Sequence, residues 1–131
     1  MNTGHFSTNG VLPDVRNNVE LIKGWFNETL INFIKKHNKK ISFIHIDCDL
    51  YSSTKYVLDT LKNYIDKDCI IVFDELVNQL SYEKSELKAF YEFINENKVD
   101  YEWIGMNGTP SGMQGYHHEN AALIIKSIKP L

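Results

Sequence analysis

With 131 residues, 43% of them hydrophobic and 12% aromatic, the chain can bury a real core and reads as globular rather than disordered. A formal net charge of -3 and a pI near 5.9 supply no basic field for a phosphate backbone, which sets nucleic acid aside as a partner. Apolar runs stay near strand length, short of the roughly 20 residues a membrane span needs, and no signal-peptide core opens the sequence, so a cytoplasmic protein with no membrane partner is expected.

Residues 1–18, rich in Asn, Gly, Thr and Ser with a lone Pro13, read as loop, and an α/β core is expected over 19–131. "VELIKGWF" alternates apolar and polar residues from Val19 and stops at Gly24, the pattern of a short strand and turn. "NETLINFIKKH" puts Leu30, Phe33, Ile34 and His37 on one helical face, with Asn27 as N-cap, Glu28 in the first turn and a basic end that suits the helix dipole. "ISFIHI" is a second strand, ending at Asp47. Helical spacing returns in "STKYVLDTLKNYI", where Val57, Leu58, Leu61, Tyr64 and Ile65 share a face and Ser52 or Ser53 caps the start.

"CIIVF" is wholly apolar, as in a parallel strand covered on both faces. A helix over "YEKSELKAFYEFINEN" follows, with Leu87, Phe90, Tyr91 and Ile94 at core spacing, then a strand near "YEWIG", a glycine-rich loop from Met106 to Gly115 and a last strand "NAALIIKSI". Strand and helix alternate through most of the chain, which points to an α/β sheet with helical crossovers. The two cysteines, Cys48 and Cys69, sit in or beside apolar runs and read as small buried thiols rather than a disulfide framework.

Ligands of open α/β sheets bind beyond the carboxyl ends of the strands, and that is where this chain carries its acids. Asp47 ends one apolar strand, and Asp74 with Glu75 ends the next. A single helix connects the two strands, which makes them parallel neighbours about 4.8 Å apart. Carboxylates that close repel one another unless a proton or a cation lies between them. Oxygen-only ligation favours Mg²⁺, Mn²⁺ or Ca²⁺ over zinc. Asp49, by contrast, reads as a turn former or helix cap. A strand followed by D-x-D also opens the haloacid dehalogenase phosphatases, where the first aspartate is the nucleophile. Tyr51 stands where those enzymes carry Thr or Val, and no downstream lysine motif precedes "VFDE".

The segments "VELIKGWFNETL", "FIHIDCDLYSSTKYVLDTL", "CIIVFDEL" and "ELKAFYEFI", in this order and spacing, resemble the C-terminal half of a class I S-adenosylmethionine-dependent methyltransferase of the macrocin O-methyltransferase type. "HHENAALII" resembles the last strand of that family. The resemblance implies a Rossmann-like, doubly wound sheet, mostly parallel with a reversed last strand, whose first two strands are absent here. It implies S-adenosylmethionine as cofactor, a hydroxyl of a sugar or similar small molecule as acceptor, and a divalent cation, Mg²⁺ by preference, held by Asp47, Asp74 and Glu75. Glu75 departs from the Asp or Asn usual at its position.

The resemblance further places Asp47 as proton acceptor, Trp25 and Phe26 beside the adenine, although a Trp-Phe pair after a strand more often packs in the core, and His117 and His118 near the acceptor, with His118 as a candidate base. The glycine-rich cofactor turn and the ribose-binding acid do not occur, and "MNGTPSGMQG" lies in the wrong context to replace them. The expectation is therefore a part of a methyltransferase domain that self-associates or pairs with an N-terminal half. A non-catalytic module of the same fold is the alternative, and a D-x-D phosphatase the third reading.

Overall fold

The computed structural model describes residues 9–77, 81–107 and 119–129. Three helices and four strands alternate as α1 (Phe26–His37), β1 (Ile41–Ile46), α2 (Tyr51–Leu61), β2 (Ile65–Val77), α3 (Glu86–Glu96), β3 (Asp100–Asn107) and β4 (Glu119–Ser127), with a 3₁₀ turn at Tyr82–Lys84. The strands form one sheet in the order β1-β2-β4-β3. β1 and β2 run parallel, as the single-helix crossover requires, while β4 lies antiparallel to both β2 and β3. The mostly parallel start and the reversed last strand are those expected from the sequence.

Side-chain alternation sorts the sheet into two unlike faces. Ile44 and Ile46 of β1, Cys69, Ile71 and Phe73 of β2, and Ala121, Leu123 and Ile125 of β4 are buried in one cluster with Ile34 of α1, Val57, Leu58 and Leu61 of α2, and Phe90 and Phe93 of α3. Phe90 anchors this layer, meeting Phe73 edge-on at 5.4 Å, Tyr101 at 5.2 Å and Trp103 at 5.6 Å between ring centroids. The opposite face carries the alternate residues Phe43 and His45, Ile70 and Val72, Ala122 and Ile124. Register sets Phe43 beside Ile70 and Ile70 beside Ile124, and likewise His45, Val72 and Ala122. None of these six is fully buried, and Phe43 is 59% exposed. The central strand is thus covered on one side only among the described residues, where the apolar run "CIIVF" had suggested two.

Several local expectations are corrected. "VELIKGWF" forms no strand: residues 19–23 are irregular, and α1 already begins at Phe26. The alternation there has no neighbouring strand to pair with. The segment is held instead by Lys23 Nζ donating to the Gly10 carbonyl (2.7 Å) and by Glu20, which takes Lys36 at 3.0 Å and His37 at 3.1 Å from the basic end of α1. The caps also differ. Trp25 and Leu50 occupy the N-cap positions of α1 and α2, so Asn27, Ser52 and Ser53 lie inside the helices. Tyr64 and Ile65 fall beyond α2, and Ile65 opens β2.

α3 starts only at Glu86, four residues later than its amphipathic pattern suggested. Ala89 and Phe93 are buried beside Phe90, whereas Tyr91 faces out. Both cysteines are free, as expected. Among the described residues no helix is long and apolar enough to cross a membrane.

Candidate functional site

β1 and β2 end side by side. Ile46 pairs with Phe73, so the next residues outward along the two parallel strands are Asp47 and Asp74. Across the antiparallel ladder Phe73 faces Ala121, which sets Asn120 opposite Asp74, and Asn120 in turn pairs with Asn107 of β3. A polar row therefore crosses the carboxyl edge of the apolar sheet. Asn120 Nδ2 donates to Asp74 twice, to Oδ1 at 2.8 Å and to the main-chain carbonyl at 2.7 Å. His45 Nε2 lies 3.6 Å from the same Oδ1. Asp74 is half-buried and Asp47 exposed.

Glu75 falls in the irregular stretch of β2 between Phe73 and Val77, where the register with β4 shifts. Among the described residues no three His, Cys, Asp or Glu side chains gather closely enough to hold one metal ion. The set of Asp47, Asp74 and Glu75 is thus not assembled as a three-carboxylate cage; Asp74 and Glu75 are successive residues, and strand alternation sends successive side chains to opposite faces. The Asp47 and Asp74 pair is still a hard-oxygen donor set. Mg²⁺ is commonly bound through one or two carboxylates with several waters retained, so a cation at this pair belongs to the functional proposal.

The turn after Asp47 is tight. The Leu50 N–H donates to the Cys48 carbonyl at 2.6 Å across Asp49, whose φ is +57°. This is a γ-type turn of the rarer, strained hand. Asp49 thus forms the turn, one of the two roles the sequence suggested, while Leu50 holds the N-cap position of α2. Beneath it lies Glu86, the first residue of α3 and fully buried. Its Oε1 accepts from the Cys48 N–H at 3.1 Å and faces the Thr54 hydroxyl of α2 at 3.4 Å, whereas Oε2 is buried with no hydrogen-bond partner. Burial pushes the Glu86 pKa up, against the pull of the Cys48 and Asp49 N–H groups. Burial first, and the Glu86 charge second, push the Cys48 thiol up to about 11, so it is no nucleophile near neutrality. Sequence reading missed both Asn120 and Glu86. Asn120 was visible only as part of the last strand, and Glu86 looked like an ordinary acidic residue in the first turn of a helix.

Trp25 and Phe26 are not core: they are 76% and 43% exposed. With Leu50, Ser52, Ser53 and Tyr56 they line a cleft of about 500 Å³ between the starts of α1 and α2. Gly24 makes this possible. Its φ is +143°, and a Cβ there would come 2.7 Å from Thr29 Cγ2, so only glycine brings the chain this tightly onto α1. A second cleft of about 580 Å³ opens at the carboxyl end of β2, lined by Leu76, Tyr82, Leu87, Tyr91, Trp103 and Met106 among others, with no charged side chain in its wall. His117 and His118 lie outside the described residues.

A family model described as a methyltransferase domain matches residues 2–76, more than half of the chain. No curated protein matches. Among solved structures, the fold resembles the apo form of CalS11, titled a TDP-rhamnose 3′-O-methyltransferase of calicheamicin biosynthesis, at a TM-score of 0.53 and 23% identity over 79% of this chain and 40% of that one. A second CalS11 structure, titled a calicheamicin methyltransferase, gives the same score and identity over 36% of its chain. The chain thus spans well under half the length of the proteins whose fold it shares.

Proposed function

From the premise that the chain belongs to the methyltransferase domain family, we propose that it forms the acceptor side of an S-adenosylmethionine-dependent O-methyltransferase acting on a hydroxyl of a small molecule such as a sugar. The observation that carries this reading is the polar row at the carboxyl edge, with Asp47 and Asp74 side by side and Asn120 fixing Asp74. Family membership leaves the phosphatase reading without support.

The residues divide the work as follows. The uncharged cleft with Tyr82, Tyr91 and Trp103 in its wall, on the helix-covered side of the strand ends, receives the part of the acceptor that reaches past the carboxyl edge, whose ring packs on aromatic faces. The exposed Trp25 and Phe26 offer a second aromatic surface, suited to a purine. Asp47, at the strand end, takes the proton of the acceptor hydroxyl as its oxygen attacks the sulfonium methyl in line. Asp74, with its orientation set by Asn120, holds that hydroxyl in place. A divalent cation held by Asp47 and Asp74 would supply Lewis-acid stabilisation of the developing alkoxide.

The uncovered sheet face, with Phe43 at its edge, supports a further element of the reading. In doubly wound sheets both faces carry helices, so a polypeptide bearing more strands and helices of the same domain, or failing that a second copy of this chain, would cover it.

The test is transfer of a labelled methyl group from S-adenosylmethionine to candidate acceptors, with the chain alone and co-expressed with a complementary methyltransferase segment. Transfer is expected only in the assembled form. There Asp74→Ala is expected to lower kcat far more than cofactor affinity. Cofactor binding without any transfer would favour a non-catalytic module, and loss of cofactor affinity alone in Asp74→Ala would assign Asp74 to the cofactor instead.

A further inference from the structure

We infer that Glu86 is a positioning residue that clamps the Asp47–Leu50 turn from below and so fixes the strand-end acid Asp47; its role in the reaction rests on the methyl-transfer reading above. The geometry is local and unusual. The turn contains a left-handed Asp49 and a three-residue hydrogen bond, a conformation that persists only where its surroundings over-determine it. The exposed side of the turn does not provide that constraint, since Asp47, Asp49 and Leu50 all face outward. The inner side does. Cys48 continues the buried alternation of Ile44 and Ile46, and its N–H points to Glu86 Oε1.

The same oxygen faces the Thr54 hydroxyl, so one carboxyl ties together the end of β1, the first turn of α2 and the start of α3. Thr54 is itself fully buried. A residue serving only to fill space would be apolar here, because a carboxyl with one buried, unpartnered oxygen carries a desolvation cost that a leucine would not. Glu86 is retained at that cost for the acceptor it presents to the turn. Nothing else among the hydrogen bonds described meets the Cys48 N–H.

The test compares wild type, Glu86→Gln and Glu86→Leu in the 131-residue chain by amide hydrogen exchange. Gln keeps the acceptor oxygen and the shape; Leu keeps the shape alone. Glu86→Leu is expected to lower protection of the Cys48 amide by about tenfold or more, the loss of one buried bond to a carboxyl, while Ile71 and Leu123 stay as in wild type. Glu86→Gln is expected to restore Cys48. Equal Cys48 protection in all three, or a loss spread evenly over Ile71 and Leu123, would overturn the clamp. Should the Leu variant fail to fold, Glu86→Ala, which also removes both oxygens, decides: Cys48 exchange faster than in Glu86→Gln supports the clamp, and exchange equal to Glu86→Gln refutes it.

In the assembled methyltransferase, Glu86→Leu is expected to lower kcat with the KM for S-adenosylmethionine unchanged, and Glu86→Gln to rescue it. Unchanged kcat beside a loosened Cys48 amide would leave Glu86 no role in the reaction. Absence of transfer by the wild-type assembly would count against the methyltransferase reading, and the exchange data on the clamp would stand apart from it.

Discussion

Asn120→Ala probes the polar row most directly. The side-chain amide makes two hydrogen bonds to one residue, 2.8 Å to the Asp74 carboxylate and 2.7 Å to its carbonyl. A bond to a charged group contributes about 1.5–3 kcal/mol and a neutral one about 0.5–1.5 kcal/mol. Both groups are only part-buried, so water can replace some of what is lost, and the expected cost falls at the low end, about 2 kcal/mol. Urea unfolding followed by circular dichroism would report it as a lower midpoint with an unchanged slope, since the surface exposed on unfolding is the same. The control Asn63→Ala, at an exposed residue whose main-chain carbonyl accepts from Lys40 and is untouched by the change, is expected to stay within about 0.5 kcal/mol of wild type. In the assembled enzyme the same variant should lower kcat, because Asp74 loses the group that fixes its orientation. A midpoint shift no larger than that of Asn63→Ala would show that Asn120 does not hold Asp74, and the division of roles at the carboxyl edge would fall with it.

Gly24→Ala combines a φ of +143° with a Cβ placed 2.7 Å from Thr29 Cγ2, so it should cost about 1–3 kcal/mol and disturb the start of α1, read as a lower melting temperature and altered Trp25 fluorescence. The pH dependence of stability should carry the mark of Glu86. Because burial raises its folded-state pKa above the ordinary 4.5, its contribution is fully present below that value, is lost as pH rises through the folded value, and then levels off. Urea midpoints of Glu86→Gln, measured beside wild type across this range, should lack that decline; parallel profiles would place the dependence on other groups.

How much of this was legible in the sequence depends on whether local pattern or distant packing decides. Helix and strand identities followed from local apolar pattern alone for β1, α2 and the centre of β2, where Ile44, Val57, Leu58, Ile71 and Phe73 are all buried. The parallel pairing of β1 and β2 followed from the single crossover, and with it the adjacency of Asp47 and Asp74. Period failed at "VELIKGWF", because alternation makes a strand only where another strand offers its ladder. The exposure of Trp25 and Phe26 was not legible either, because a glycine turn throws the two large rings outward. Glu86 was out of reach for a different reason: its partner Cys48 is 38 residues away, and nothing in "YEKSEL" distinguishes a buried carboxyl from a solvated one.

The two faces of the sheet give these parts one logic. Asp47 continues the alternation of Phe43 and His45, Asp74 that of Ile70 and Val72, and Asn120 that of Ala122 and Ile124, so the whole polar row belongs to the uncovered face. Cys48 has the opposite parity and reaches Glu86 on the covered face. The turn between β1 and α2 is therefore fixed from the packed side and displays its acid toward the open one. Whatever covers Phe43 and Ile70 must also wall the acids Asp47 and Asp74, exclude water from them and strengthen every charge interaction there. On the proposed reading, covering the apolar face would also complete the acceptor edge, which is why methyl transfer is expected of the assembled domain and not of the exposed sheet.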